Sequence, residues 1–140
     1  MIEFYGVSEL VQARIIDQIK GTDLIVRDCD LNVYSDEEAT KAAHKAALES
    51  IWAFRLDFLR LHFKLQMTDR QWEVTKKAFE KAVESLCENM TPIYLALLKD
   101  ETAFVEAAID ADGRGHFLSG YDSEEHEIEV DGVTYFAYRN

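Results

Sequence analysis

The hydrophobic period of this chain changes once, and that change limits what it can fold into. Over most of the chain up to Ala111, apolar side chains recur at three- and four-residue steps, the period of amphipathic helices. From Glu127 to Tyr138 they alternate around Asp131-Gly132. Asp-Gly between two alternating runs is a strong signal for a two-residue hairpin turn, because both turn residues need positive φ. The turn length sets the register: Val130 faces Val133, Ile128 faces Tyr135, Glu129 faces Thr134 and Glu127 faces Phe136. The first two pairs form an apolar face that should lie on helices. A two-stranded hairpin is marginal alone, so it packs on helices or gains a third strand. Ile2-Glu3-Phe4-Tyr5 is the candidate for that strand.

Helix signals fill the rest. Ser8 can cap a helix to about Lys20, stopped by Gly21, with Leu10, Val11, Ile15, Ile16 and Ile19 as its stripe. The segment from Leu24 to Tyr34 reads as a loop with a short extended piece. Ser35 and Glu38 form a capping box at the head of a helix running to about Leu65, Ala-rich at first and aromatic at the end. Thr68 and Gln71 form a second box, and the short connection makes these helices antiparallel neighbours. Thr91-Pro92 restarts the chain, with Thr as cap and Pro at the first helical position. Asp100 can cap a last helix to about Ala111. The expectation is a single α+β domain over residues 1–140, mostly α. It has four to five helices and a C-terminal two-stranded hairpin, joined at most by the N-terminal strand.

Composition narrows the class. Apolar content of 48% with one Pro fits a helix-rich folded chain. Cys29 and Cys87 lie far apart with no metal-type spacing and read as reduced thiols. The N-terminus has no basic region before an apolar run, and no segment approaches a membrane span. The reading is cytoplasmic, with no membrane partner. The net charge of −12 is uneven: residues 100–140 hold 11 carboxylates against two cations, Arg114 and Arg139. A field of that sign repels nucleic-acid phosphates and attracts basic partners.

Most of the unusual chemistry lies between Asp110 and Asp131. Asp110 and Asp112 begin like a calcium loop, but Arg114 and Tyr121 stand where the ion needs carboxylate oxygens. Gly113 is better explained as a left-handed helix stop. Arg114, His116, Ser119 and Tyr121 lie within eight residues. They are the candidate ligand or anion site, since Arg grips an anion by two bonds and His titrates near neutrality. No activated nucleophile motif accompanies them, so no catalytic residue is assigned. Arg114 has an internal use as well, pairing with the surrounding carboxylates. His44 and His62 on one helix would stand ~27 Å apart, and His126 reads as solvated within the acidic run. No metal and no cofactor are assigned.

The run Asp122, Glu124, Glu125, Glu127, Glu129 and Asp131 is the candidate partner-binding surface. Its plainer use is to protect a sheet edge from pairing. Its sharper use is a phosphate-like array seated in a basic groove. The segment AIDADGRGHFLSGYDSEEHE, with the final YFAYRN and with WAFRLDFLRLHF earlier, resembles small phage- and prophage-encoded proteins without an assigned activity. That resemblance implies a mobile-element accessory protein that binds a host factor, and transfers no catalytic residue. The leading expectation is a non-enzymatic interaction protein with a basic protein partner, as an inhibitor or DNA mimic. The alternatives are a nucleic-acid accessory protein using Arg55, Arg60, Lys64, Lys76, Lys77 and Lys81, and a small enzyme centred on Arg114 and His116. An exposed Phe136 or Tyr138 would make the hairpin a homodimer surface.

Overall fold

The computed structural model describes residues 1–140. It is an α+β chain, mostly helical, with the C-terminal strand pair in a four-stranded mixed sheet. Two compact units share the chain: residues 1–44 with 112–140, and residues 45–111. No helix is long and apolar enough to cross a membrane.

The first unit is built on the sheet. Strand β1 (Ile2–Tyr5) runs parallel to β2 (Leu31–Tyr34), connected through helix α1 (Glu9–Ile19). The hairpin strands β3 (His126–Val130) and β4 (Val133–Arg139) complete the order β1-β2-β4-β3. Asp131 and Gly132 both adopt positive φ, 51° and 79°, as the turn requires. All four expected cross-strand pairs form. Ile128 and Val130 are buried against Ile15 and Ile19 of α1, together with Leu31, Val33 and Ala137. Ser8 caps α1 by accepting from the Val11 amide.

The strand that joins the hairpin is β2, inside the segment read as a loop with a short extended piece. β1 is a strand, as expected, but lies one place further out. Leu31 and Val33 point into the core while Asn32 and Tyr34 take the other face, so the burial alternates. Four residues give too short a run for the alternation to stand out.

The second unit is helical. The helix expected from Ser35 to Leu65, whose first part belongs to residues 1–44, is divided. Helix α2 (Asp36–Glu49) ends where the Ser50 hydroxyl bonds back to the Ala46 carbonyl at 2.8 Å. A 3-10 turn (Ile51–Ala53) and helix α3 (Leu56–Arg60) follow, with Phe54 and Arg55 extended between them. Trp52, Phe54, Leu56 and Phe58 are spaced by two, which would wrap a continuous helix in apolar side chains. The break instead sends Ile51, Leu56, Leu59 and Phe63 inward, each at most 8% exposed.

Helix α4 (Asp69–Leu86) opens with the full reciprocal Thr68–Gln71 box. Helix α5 (Thr91–Leu97) starts with Pro92 in its first turn, but Met90 rather than Thr91 holds the cap position. The 3-10 turn Cys87–Met90 already delivers the chain in helical conformation, so no side-chain cap forms. Asp100 caps helix α6 (Glu101–Asp112), accepting from the Ala103 amide. Cys29 and Cys87 are free.

Candidate functional site

After α6, Gly113 takes φ 81° and ψ 157°, a region open essentially only to glycine. The chain reverses there into the one-turn helix α7 (Arg114–Leu118). Gly115 then lies so close to the strand approach that a Cβ would stand 2.5 Å from the Ser123 carbonyl oxygen. This contact presents Arg114 to the acidic run.

Arg114 is 14% exposed and bound on several sides. Its Nε donates to Glu125 at 2.7 Å, and one terminal nitrogen donates to Asp36 at 2.9 Å and Thr40 at 3.3 Å. Its guanidinium lies 4.4 Å from the Phe136 ring centre, a cation–π stack. Tyr138 donates its hydroxyl to the same Glu125 oxygen. Burial, then that bond to Glu125, pushes the Tyr138 phenol far above its usual range, so it stays a donor. Arg114 therefore crosslinks α7, the start of α2 and the hairpin.

The remaining members of the expected ligand site have separate partners. His116 is exposed and edge-on to Phe117. Ser119 is 4% exposed, its Oγ 2.8 Å from Asp122 and 2.7 Å from the Arg139 carbonyl. Tyr121 is exposed, with the Arg139 guanidinium 5.5 Å from its ring centre.

The acidic run divides by direction. Asp122 is 18% exposed and receives two bonds from Arg139. Glu125 serves Arg114 and Tyr138. Asp131 pairs with Arg14 of α1. Glu124, Glu127 and Glu129 face solvent, the last two on β3, an edge strand. His126, expected in solvent, is 25% exposed and lies between Asp122 and Arg139. The dimer condition is not met: Tyr138 is fully buried, and Phe136 is half-buried beneath Arg114.

Asp122, Glu124 and His126 bring one ligand atom each within 4.8 Å of one another. Arg139 already lies in that cluster, donating to Asp122 and standing 3.2 Å from the His126 Nε2. The guanidinium supplies the positive charge that two carboxylates and an imidazole would otherwise seek from an ion.

Burial alone would raise the Asp122 carboxyl. Bonds from Ser119, the Glu124 amide, Arg139 and His126 outweigh it and hold the group well below the usual carboxylate range. A depressed folded value means stability is fully present above the unfolded value of about 3.9 and is lost as pH falls through the folded one. The stability difference between wild type and Asp122→Asn should therefore shrink below about pH 4. Urea denaturation at successive pH values checks this, and a constant difference down to acid would contradict it.

Comparison with protein-family models, curated proteins and solved structures gives no match. Sequence spacing missed Asp36, Thr40, Tyr138 and Arg139 as members of these networks. Only the hairpin register gave a signal for any of them: extended back, it sets Tyr138 opposite Glu125 and puts Arg139 two places beyond Ala137 on one sheet face.

The cations considered for nucleic-acid binding are also divided. Arg60 is bound to Asp69 and the Met67 carbonyl, and Lys76 to Asp57 at 2.9 Å. Arg55, Lys64, Lys77 and Lys81 are exposed.

Proposed function

We propose that the protein is a non-enzymatic interaction protein, an accessory of a phage or mobile element, whose acidic sheet-bearing unit binds a basic partner. In its sharp form, the unit occupies a nucleic-acid groove of that partner in place of phosphates. One observation carries this reading. Residues 1–44 and 112–140 hold 16 carboxylates against six cations, whereas residues 45–111 hold 11 against nine. Of the six cations, Arg14, Arg27, Lys41, Arg114 and Arg139 are already in ion pairs. Little remains to offset the field of the unpaired carboxylates, and such a field steers oppositely charged partners.

Neither alternative has comparable support. The donors of Arg114 point to Glu125, Asp36 and Thr40, which argues against a catalytic anion site. The cations of the helical unit are nearly balanced by its carboxylates, which argues against phosphate binding there.

The test begins with capture of the partner from the native host and its identification by mass spectrometry. Association rates are then compared between wild type and the triple variant Glu124→Gln, Glu127→Gln, Glu129→Gln. Glu125 is left intact because it holds Arg114. The triple variant is expected to associate about tenfold more slowly at low salt, with the gap closing at high salt. Equal rates at low salt would overturn the proposal.

A further inference from the structure

The sheet ends at β3 with an unpaired edge, since β3 stands last in the order β1-β2-β4-β3. Successive residues of a strand turn their backbone groups to opposite neighbours. Asp30 and Asn140 exchange both amide bonds, so Tyr138 and Phe136, two and four places back, also turn to β2. Val133, Tyr135 and Ala137 therefore turn to β3, where they meet Val130, Ile128 and His126. The N–H and C=O of Glu127 and of Glu129 are left pointing outward. They offer two donors and two acceptors over about 7 Å of edge.

Ile128 and Val130 take the sheet face that packs on α1. The Glu127 and Glu129 side chains share the other face, exposed and in no hydrogen bond or ion pair. A second copy laid along this edge would bring its own Glu127 and Glu129 beside these, and like charges facing each other across strands are destabilising. A strand with Lys or Arg at every second position would instead set a cation opposite each carboxylate. Its intervening side chains would lie on the side of Ile128 and Val130. The β1 edge differs, because its one carboxylate, Glu3, already accepts from the Tyr5 hydroxyl at 2.6 Å.

We propose that β3 takes up an extended basic segment of the partner as a further, antiparallel strand of the sheet. The segment's N–H and C=O groups bond those of Glu127 and Glu129, and its lysine or arginine side chains meet the two carboxylates. The backbone bonds supply affinity, and the carboxylates select a basic strand over a second copy of the chain. This mode of binding rests on the reading of the acidic unit as the surface for a basic partner, and specifies the part of that partner held at β3.

Calorimetric titration of the full chain at low salt with the peptide acetyl-Lys-Val-Lys-Val-Lys-Val-Lys-amide tests it. Saturable one-to-one binding is expected. In the antiparallel pairing the lysine amides face β3 and the valine amides face away. N-methylation of the inner lysine amides should weaken binding at least about tenfold, and N-methylation of the valine amides less than about threefold. Glu127→Gln with Glu129→Gln should weaken the unmodified peptide about fivefold, since two opposite-charge pairs are lost. Glu129→Pro removes an outward N–H and no ladder bond. It should bind about tenfold more weakly than Glu129→Gln, which loses the same charge. The methylated peptides provide the check should the proline variant fail to fold. No saturable heat with the unmodified peptide, or equal binding of the two methylated peptides, would overturn strand addition. Binding that needs the carboxylates but ignores methylation would overturn it too, while leaving the acidic surface as a partner site. The association rates of the captured partner decide that reading separately.

Discussion

Arg114→Ala is expected to destabilise the protein by about 2 kcal/mol, measured by urea denaturation, because removing the guanidinium of a partly buried ion pair leaves the carboxylate uncompensated. The side chain is 14% exposed, and its main partner Glu125 is 29% exposed. Without the guanidinium, the Glu125 carboxylate retains only the Tyr138 hydroxyl. Asp36 loses its bond, and Phe136 loses the cation above its ring. A loss of that size is a large fraction of the usual stability of about 5–15 kcal/mol. Arg114→Lys should recover less than half of it. An ammonium is a point charge on a flexible stem and cannot bond Glu125 and Asp36 through a planar fork while stacking on a ring. A variant within about 0.5 kcal/mol of wild type would mean that Arg114 is a surface residue.

The second large effect is expected at Gly115, where Ala should cost about 3 kcal/mol through overpacking. A Cβ there would meet the Ser123 carbonyl oxygen at 2.5 Å, the Glu124 carbonyl carbon at 2.7 Å and the Glu125 amide nitrogen at 2.9 Å. These are backbone atoms, so no rotamer change relieves the contact. Moving the segment away would separate Glu125 from Arg114, since α7 begins at that residue. Gly115→Ala should therefore lose the Arg114 network along with the close packing, and its cost should not add fully to that of Arg114→Ala. Additive losses in the double variant would contradict this coupling.

The hairpin was legible because its evidence is local. Asp131-Gly132 fixes the turn, the turn fixes the register, and the register decides which side chains meet. Caps at Ser8, Thr68 and Asp100 were legible for the same reason, each being one side chain and one amide three residues on. The long helix after Ser35 was not. Its Ala stripe at Ala39, Ala43 and Ala47 continues into an aromatic stretch spaced by two, and tertiary packing of Ile51, Leu56 and Leu59 decided against helix propensity. In the sequence β2 shows only as a short extended piece, because four residues beside several Asp offer little pattern.

At the candidate site, pairing of Arg114 with carboxylates was readable from composition, since cations are scarce in that third. Its partner Asp36 was not, being 78 residues away in sequence. The register extended back from Glu127 sets Glu125 opposite Tyr138, but spacing could not tell that Asp122 turns inward. Ser123 takes φ 58° and redirects the chain just before β3, so the strand's alternation does not extend back through the loop. The six carboxylates look alike in sequence and have different tasks in the fold.

In that division of tasks, the inward carboxylates hold the fold and the outward ones face a partner. The most direct test of the division is the urea midpoint of Arg114→Ala beside that of the triple variant Glu124→Gln, Glu127→Gln, Glu129→Gln, with wild type as reference. A lowered midpoint is expected for Arg114→Ala and a triple variant within about 0.5 kcal/mol of wild type, the usual range for surface substitutions. A triple variant that unfolds as easily as Arg114→Ala would contradict it, because the outward carboxylates would then be holding the fold rather than facing a partner.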